Sequence, residues 1–209
     1  VPLIHHLDHS FTVQMCRDCI DSGYPSVMID ASKHGLETNI QMVRQVMDYA
    51  RPKHVHVEGE IGKIKGKGIE GDFKGGDFLA EVEDAAALVK ATQVDSLAVG
   101  IGSAHGFYKG KPELNFKRLA EINKAVDTPL VLHGGTGIPQ EDIQRAIKEG
   151  INKVNVGTII HCTYMNNLRE ELNRAGDNPY TLDVMKAVYP KVKEVVKRWI
   201  RVCMANGKA

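Results

Sequence analysis

The sequence predicts an α/β fold, a TIM (β/α)8-type barrel that carries six of the eight strand–helix units. Three observations lead there. Short apolar runs alternate with segments of helical period along the 209 residues, and strands joined by crossover helices build a parallel sheet. Polar, histidine-bearing and glycine-rich residues follow the strand runs rather than precede them, which is the end where such barrels place their sites. His9, His105 and His133 fall just past three separate strand signals, and strand ends that share one point meet more easily on a closed ring than on a flat sheet. An open doubly wound sheet also presents ligands at its carboxyl ends, so convergence is what separates the two folds.

The strand signals run from Leu3 to Leu7, Ser26 to Asp30, His54 to Ile61, Ser96 to Ile101, Pro129 to His133 and Lys153 to Val156. Between them, Val13, Cys16 and Ile20 repeat at helical spacing, as do Ile40, Val43, Val46 and Met47, then Val82, Ala85, Ala86 and Val89, then Ile143, Ala146 and Ile147. The last of these helices opens after Pro139 and closes at Gly150. Gly62 to Gly76 is rich in Gly and Lys and lacks apolar periodicity, so a long mobile loop is expected at the end of the third strand. From Leu182 to Cys203 the stripe Met185, Val188, Val192, Val195, Trp199 and Val202 predicts a C-terminal helical arm over about 181–204, with a kink or new start at Pro190. The whole of 1–209 is expected to be one barrel domain. The first two βα units have no counterpart in it, and their place is expected to lie in an N-terminal segment outside this sequence.

Net charge is +1, with 27 basic residues scattered among 26 acidic ones. No basic face stands out for nucleic acid or anionic membrane, and no apolar run approaches the ~18 residues of a membrane span. A small polar substrate is the expected partner. Of the four cysteines, Cys16 and Cys19 form a CxxC within a helical pattern, with no second pair to complete a zinc knuckle, so they are read as reduced core residues. A cytoplasmic setting follows.

Three imidazoles at strand ends suit a catalytic zinc with an open fourth position, and the adjacent Asp8 suits proton transfer at whatever binds there. For a single histidine beside glycine, a structural role would be the simpler reading; three with a carboxylate reverse it. His54 and His56 have HxH spacing but open their strand, and are read as structural. Gly134, Gly135 and Thr136 in HGGTG, with Gly157 and Thr158 in NVGT, suit a phosphate cradle after the last two strands, where backbone donors and little bulk are needed. A Schiff-base mechanism would need a lysine in a strand's carboxyl half, whereas Lys153 opens its strand.

HHLDH, SVMID, VEGEIG, SAHGFY, LHGGTGIP and KVNVGT, in this order and spacing, closely resemble the zinc-dependent class II fructose-bisphosphate aldolases, and among them the branch with tagatose-bisphosphate aldolases. The resemblance runs from residue 1 to about Asn206. It implies reversible cleavage of a ketose 1,6-bisphosphate to dihydroxyacetone phosphate and glyceraldehyde 3-phosphate, by a homo-oligomer, dimer or tetramer. It makes His9, His105 and His133 the zinc ligands, Asp8 the catalytic acid and Asn155 a substrate contact, and adds Gly106 to the phosphate cradle. Asp30 and Glu60 become a second metal or supporting site, with a second divalent ion and a monovalent cation as further expected ions. Glu70 becomes the flexible loop base, with Asp72 its competitor, since KGKGIEGD stands where the family has a compact GGxED. Ile159 and Ile160 follow the NxxT motif where the family usually has an acidic residue. The rival reading is a catalytically incomplete homologue that binds metal or sugar phosphate.

Overall fold

A computed structural model describes residues 2–64, 78–108, 110 and 112–208. Most of the glycine-rich segment, with Glu70 and Asp72, lies outside them. Six strands, β1 (His6–Ser10), β2 (Ser26–Ile29), β3 (His56–Ile61), β4 (Ser96–Val99), β5 (Leu130–Leu132) and β6 (Ile151–Val154), form one sheet in sequential order. All five pairings are parallel. Between and after them come α1 (Val13–Asp21), α2 (Leu36–Ala50), α3 (Val82–Thr92), α4 (Phe116–Ala125), α5 (Gln140–Lys148), α6 (Thr158–Ala175) and α7 (Thr181–Val202).

Each strand's period-2 alternation gives the sheet two unlike faces. Val27, Ile29, Val57, Ile61, Leu97, Val99, Leu130 and Leu132 point outward and pack in one core with Cys16 and Ile20 of α1, Val43 and Val46 of α2, Leu88 of α3, Leu119 and Ile122 of α4 and Ile143 of α5. Full burial of each such side chain contributes roughly 1.5–3 kcal/mol. This face therefore holds the fold. On the other face, among the described residues, Met28, Ala98 and Val131 make a small apolar cluster, and the remaining inward positions include Ser26, Asp30, Glu58, Glu60, Ser96 and His133, all buried. Polarity is concentrated where the curling sheet encloses it.

The curl is visible in side chains from opposite edges. Although β1 and β6 end the strand order, Asn155 Nδ2 just past β6 donates to Asp8 Oδ1 of β1 at 3.1 Å, and Lys153 Nζ lies 3.4 Å from His6 Nε2. A flat six-stranded sheet would hold these residues several 4.8 Å strand spacings apart. The sheet is a curled half-barrel.

Differences from the sequence-based expectations are local. β1 begins at His6 rather than Leu3, so Asp8 and His9 lie within the strand. β3 begins at His56, because Arg51–Lys53 forms a 3-10 turn closed by His54 in the left-handed region (φ 55°). α7 is continuous through Pro190; Pro190 and Lys186, whose carbonyl loses its amide partner, are both exposed, and water can replace the missing bond. On α7, Val184, Val188 and Val202 are buried and Trp199 packs on the core. Of that stripe, Val188, Trp199 and Val202 turn into their own chain, whereas Met185, Val192 and Val195 are half-buried. No helix among the described residues is long and apolar enough to cross a membrane.

Candidate active site

Two consecutive strand residues normally point to opposite faces, yet Asp8 and His9 both line one cavity at the carboxyl end of the sheet. The backbone explains this. Between Leu7 and Ser10 the β1–β2 register shifts, and His9 sits at φ 49°, a left-handed conformation rare for a residue with a Cβ. Such a bulge re-aims a side chain at a local cost, here putting a carboxylate and an imidazole side by side at the mouth.

His133, wholly buried just past β5, turns Nδ1 to within 2.8 Å of His9 Nε2. His105, after β4, completes the group, its ring centroid 5.0 Å from that of His9 and 5.9 Å from that of His133. One ligand atom from each of the three lies within 4.8 Å of the others. Three converging imidazoles, two of their nitrogens nearly touching, suit a single zinc ion with an open position. His9 Nδ1 faces the other way, 3.1 Å from Asp30 Oδ2 and 3.9 Å from Glu60 Oε2, and these three form a second group of the same compactness. Burial would raise the Asp30 carboxyl, but hydrogen bonds from His9 and Ser32 hold it below its usual range.

Below the histidines lies a buried network that the sequence reading missed. Glu58, 1 % exposed, places Oε1 2.8 Å from His133 Nε2 and Oε2 2.6 Å from Lys153 Nζ. Burial alone would raise its carboxyl; the His133 hydrogen bond and the Lys153 charge instead bring it down to about 2. His6 joins from β1, with Nδ1 2.7 Å from Ser26 Oγ and Nε2 3.8 Å from Glu58 Oε2. Burial lowers the pKa of both His6 and His133, against the pull of Glu58; Lys153 depresses His6 further. Lys153 does not open its strand as the sequence suggested: β6 runs from Ile151 to Val154, so Lys153 stands in its carboxyl half, lines the cavity and sets its ammonium against Glu58. A signal was present in VEGEI, where period 2 puts Glu58 on the same face as Glu60.

These shifts set an acid response for the metal-free protein. His6 and His133 stay neutral in the fold below their ordinary value of 6.5, so stability present above that pH is lost as it falls. Glu58, ordinarily near 4.5, adds stability that is complete above that value and disappears towards about 2. Urea midpoints measured in chelator are expected to fall from about pH 6.5 downward and more steeply below about pH 4.5. A midpoint that stays level between about pH 8 and about pH 4 would contradict this.

The cavity, about 650 Å³, is also lined by Gly106, Gly134, Thr136, Asn155, Gly157 and Thr158. α6 opens here, with Gly157 as its N-cap, so the positive end of an 18-residue helix lies at the mouth. Thr136 Oγ1 accepts from Ile159 N at 3.2 Å, which leaves its hydroxyl proton for a ligand. Gly135 does not belong to this cradle. Its amide donates to Asn155 O at 3.0 Å, and a Cβ there would press on Val154 and Val156, so it is glycine for close packing.

Tyr108, in the tail of SAHGFY, was not singled out from sequence. Its hydroxyl accepts from Ala104 N at 2.8 Å and donates to Gly134 O at 3.1 Å, tying the loop of His105 to that of His133. Burial raises its pKa, so the phenol keeps its proton. At Gly134 (φ +70°) a Cβ would stand 2.3 Å from Ala104 O. Gly134→Ala should therefore cost about 2 kcal/mol or more through strain and loop separation, read as a lower urea midpoint; unchanged stability would mean that the loops part freely.

A parallel half-barrel whose mouth gathers three imidazoles, a carboxylate and a glycine-lined helix start belongs structurally among (β/α)-barrel enzymes of phosphorylated small molecules. The comparisons narrow this. Residues 1–208 match the family described as Fructose-bisphosphate aldolase class-II. A 6-phospho-5-dehydro-2-deoxy-D-gluconate aldolase of Bacillus velezensis is 40 % identical over 209 residues, covering all of this chain and 71 % of the relative. A fructose-bisphosphate aldolase of Geobacillus stearothermophilus is 41 % identical over 213 residues, covering all of this chain and 72 % of the relative. Among solved structures, the YdjI aldolase of Escherichia coli K12 superposes with a TM-score of 0.85 at 34 % identity, covering 100 % of this chain and 72 % of that one. The chain belongs to the class II fructose-bisphosphate aldolase family and is a carbon–carbon lyase of the aldolase class.

Proposed function

We propose that this aldolase cleaves a ketose 1,6-bisphosphate, fructose- or tagatose-1,6-bisphosphate, reversibly into dihydroxyacetone phosphate and glyceraldehyde 3-phosphate. The observation that carries the reading is one cavity that joins the three-histidine group and Asp8 to the opening of α6. His9, His105 and His133 would hold a zinc ion, and that ion would supply the positive charge that polarises the ketose carbonyl and offsets the negative charge left when the C3–C4 bond breaks. Gly106, Gly134, Thr136, Gly157 and Thr158 hold the phosphate of the dihydroxyacetone half by backbone and hydroxyl donors. Asp8, exposed at the mouth, moves the proton on the oxygen of the aldehyde half. Asn155 donates to Asp8 at 3.1 Å and orients it. Asp30 and Glu60 engage His9 from behind and offer a second divalent site. Glu70 is assigned the proton at C3, and a monovalent cation, a homo-oligomeric state and a cytoplasmic setting belong to the same reading.

A second substrate has a specific observation in its favour, the 40 % identity to a 6-phospho-5-dehydro-2-deoxy-D-gluconate aldolase. That compound carries a ketone beside a phosphorylated carbon, the same end that the cradle would hold, and differs in the aldehyde half. Turnover of the two ketose bisphosphates and of this acid, measured side by side, decides between them. Loss of activity with a chelator but not with borohydride supports the metal reading; inactivation by borohydride with substrate would overturn it in favour of a lysine Schiff base.

A further inference from the structure

The ion pair between buried Glu58 and Lys153, which is part-exposed at the cavity wall, has no role in the substrate chemistry just described, and it bears on how His133 presents itself. Glu58 Oε2 is 2.6 Å from Lys153 Nζ, so the group is a carboxylate, which only accepts hydrogen bonds. Its Oε1 is 2.8 Å from His133 Nε2. A carboxylate oxygen that close to a bare ring nitrogen would set lone pair against lone pair, and both groups are 1 % exposed, with no water to relieve it. His133 Nε2 must therefore carry the proton. Asn155 Nδ2 is also 3.1 Å from that nitrogen, but its other contact at 3.1 Å, Asp8 Oδ1, can accept its proton and a protonated Nε2 cannot.

We propose that Glu58, anchored by Lys153, is a positioning residue that fixes His133 as the Nε2–H tautomer, leaving the Nδ1 lone pair aimed at His9 and thus at the metal. The inference rests on the reading of His133 as a zinc ligand. Imidazole has two tautomers of similar energy in water, and only one of them offers Nδ1 to a cation. Lys153 matters because, by donating to Oε2 at 2.6 Å, it fixes the carboxylate plane and holds Oε1 against His133 Nε2. Partners of this kind orient a ligand and raise its basicity, and their loss commonly weakens metal affinity by about 10- to 100-fold.

Two measurements test it. In metal-free wild-type protein, long-range ¹⁵N–¹H correlation of the imidazoles is expected to show His133 protonated at Nε2; protonation at Nδ1 would overturn the proposal whatever the variants do. In Glu58→Gln, whose side chain keeps its shape and can accept from Lys153, zinc affinity by chelator competition is expected to fall about 10- to 100-fold with the far-ultraviolet spectrum unchanged. Zinc binding by Glu58→Gln equal to that of wild type would overturn it while leaving the metal reading intact. A wild-type protein that binds no zinc would instead remove the metal reading, and this inference with it. If Glu58→Gln does not fold, the wild-type tautomer alone decides.

Discussion

His133→Ala is expected to lose bound zinc on dialysis and to lower kcat/KM by at least about a thousandfold, with chelator-treated wild type falling to a similar level. The size follows from what disappears. A metal that polarises a carbonyl is worth several kcal/mol in the transition state, and each ~1.4 kcal/mol is a factor of ten. His133 is also the hub of the site, in contact with His9 Nε2, Glu58 Oε1 and Asn155 Nδ2 while wholly buried. Its removal leaves a cavity and deprives Glu58 of one partner, so the variant should also be less stable, by about 2 kcal/mol or more. Metal content separates the two effects: a folded variant without zinc and without activity supports the ligand role, whereas one that keeps zinc and turnover would refute it.

The fold was readable because its determinants are local and repeated. Val27 and Ile29, Val57 and Ile61, Leu97 and Val99 keep period 2 on the face that meets the helices, while Ile40, Val43, Val46 and Met47 keep helical period on the partner surface. What escaped was conformational or polar. Nothing in HHLDH announces the bulge that turns both Asp8 and His9 into the cavity, since the φ of 49° at His9 comes from the register change against β2. Pro190 looked like a break, yet an exposed carbonyl can be satisfied by water. Glu58 was passed over because it lies mid-strand, Lys153 was set aside because its strand was read as starting there rather than at Ile151, and an ion pair across 95 positions of sequence has no short-range signature. Gly135 looked like its neighbour Gly134, but of the two only Gly134 lines the cavity. The site's histidines could be listed in advance; their orientation required the positions of four different strands.

Orientation is also what makes Asp8 the most informative single substitution at the mouth. Asp8 lies next to His9 in chain and space, is exposed to the cavity, and accepts from Asn155 Nδ2 at 3.1 Å. Asp8→Asn keeps the volume and a carbonyl oxygen for that bond while removing the group that can exchange a proton with the aldehyde half. Loss of a positioned acid usually costs roughly 10²–10⁴ in rate, so kcat is expected to fall at least about a hundredfold in both directions of the reaction. Because the three imidazoles are untouched, zinc content and affinity should stay within about threefold of wild type, less than the 10- to 100-fold expected for a lost ligand partner. Proton exchange at C3 of dihydroxyacetone phosphate, a step assigned to a different group, should be largely kept. That split between cleavage and exchange is what a proton donor to the aldehyde oxygen requires: equal loss of both would make Asp8 a general support of the site, and unchanged cleavage would remove it from the chemistry altogether.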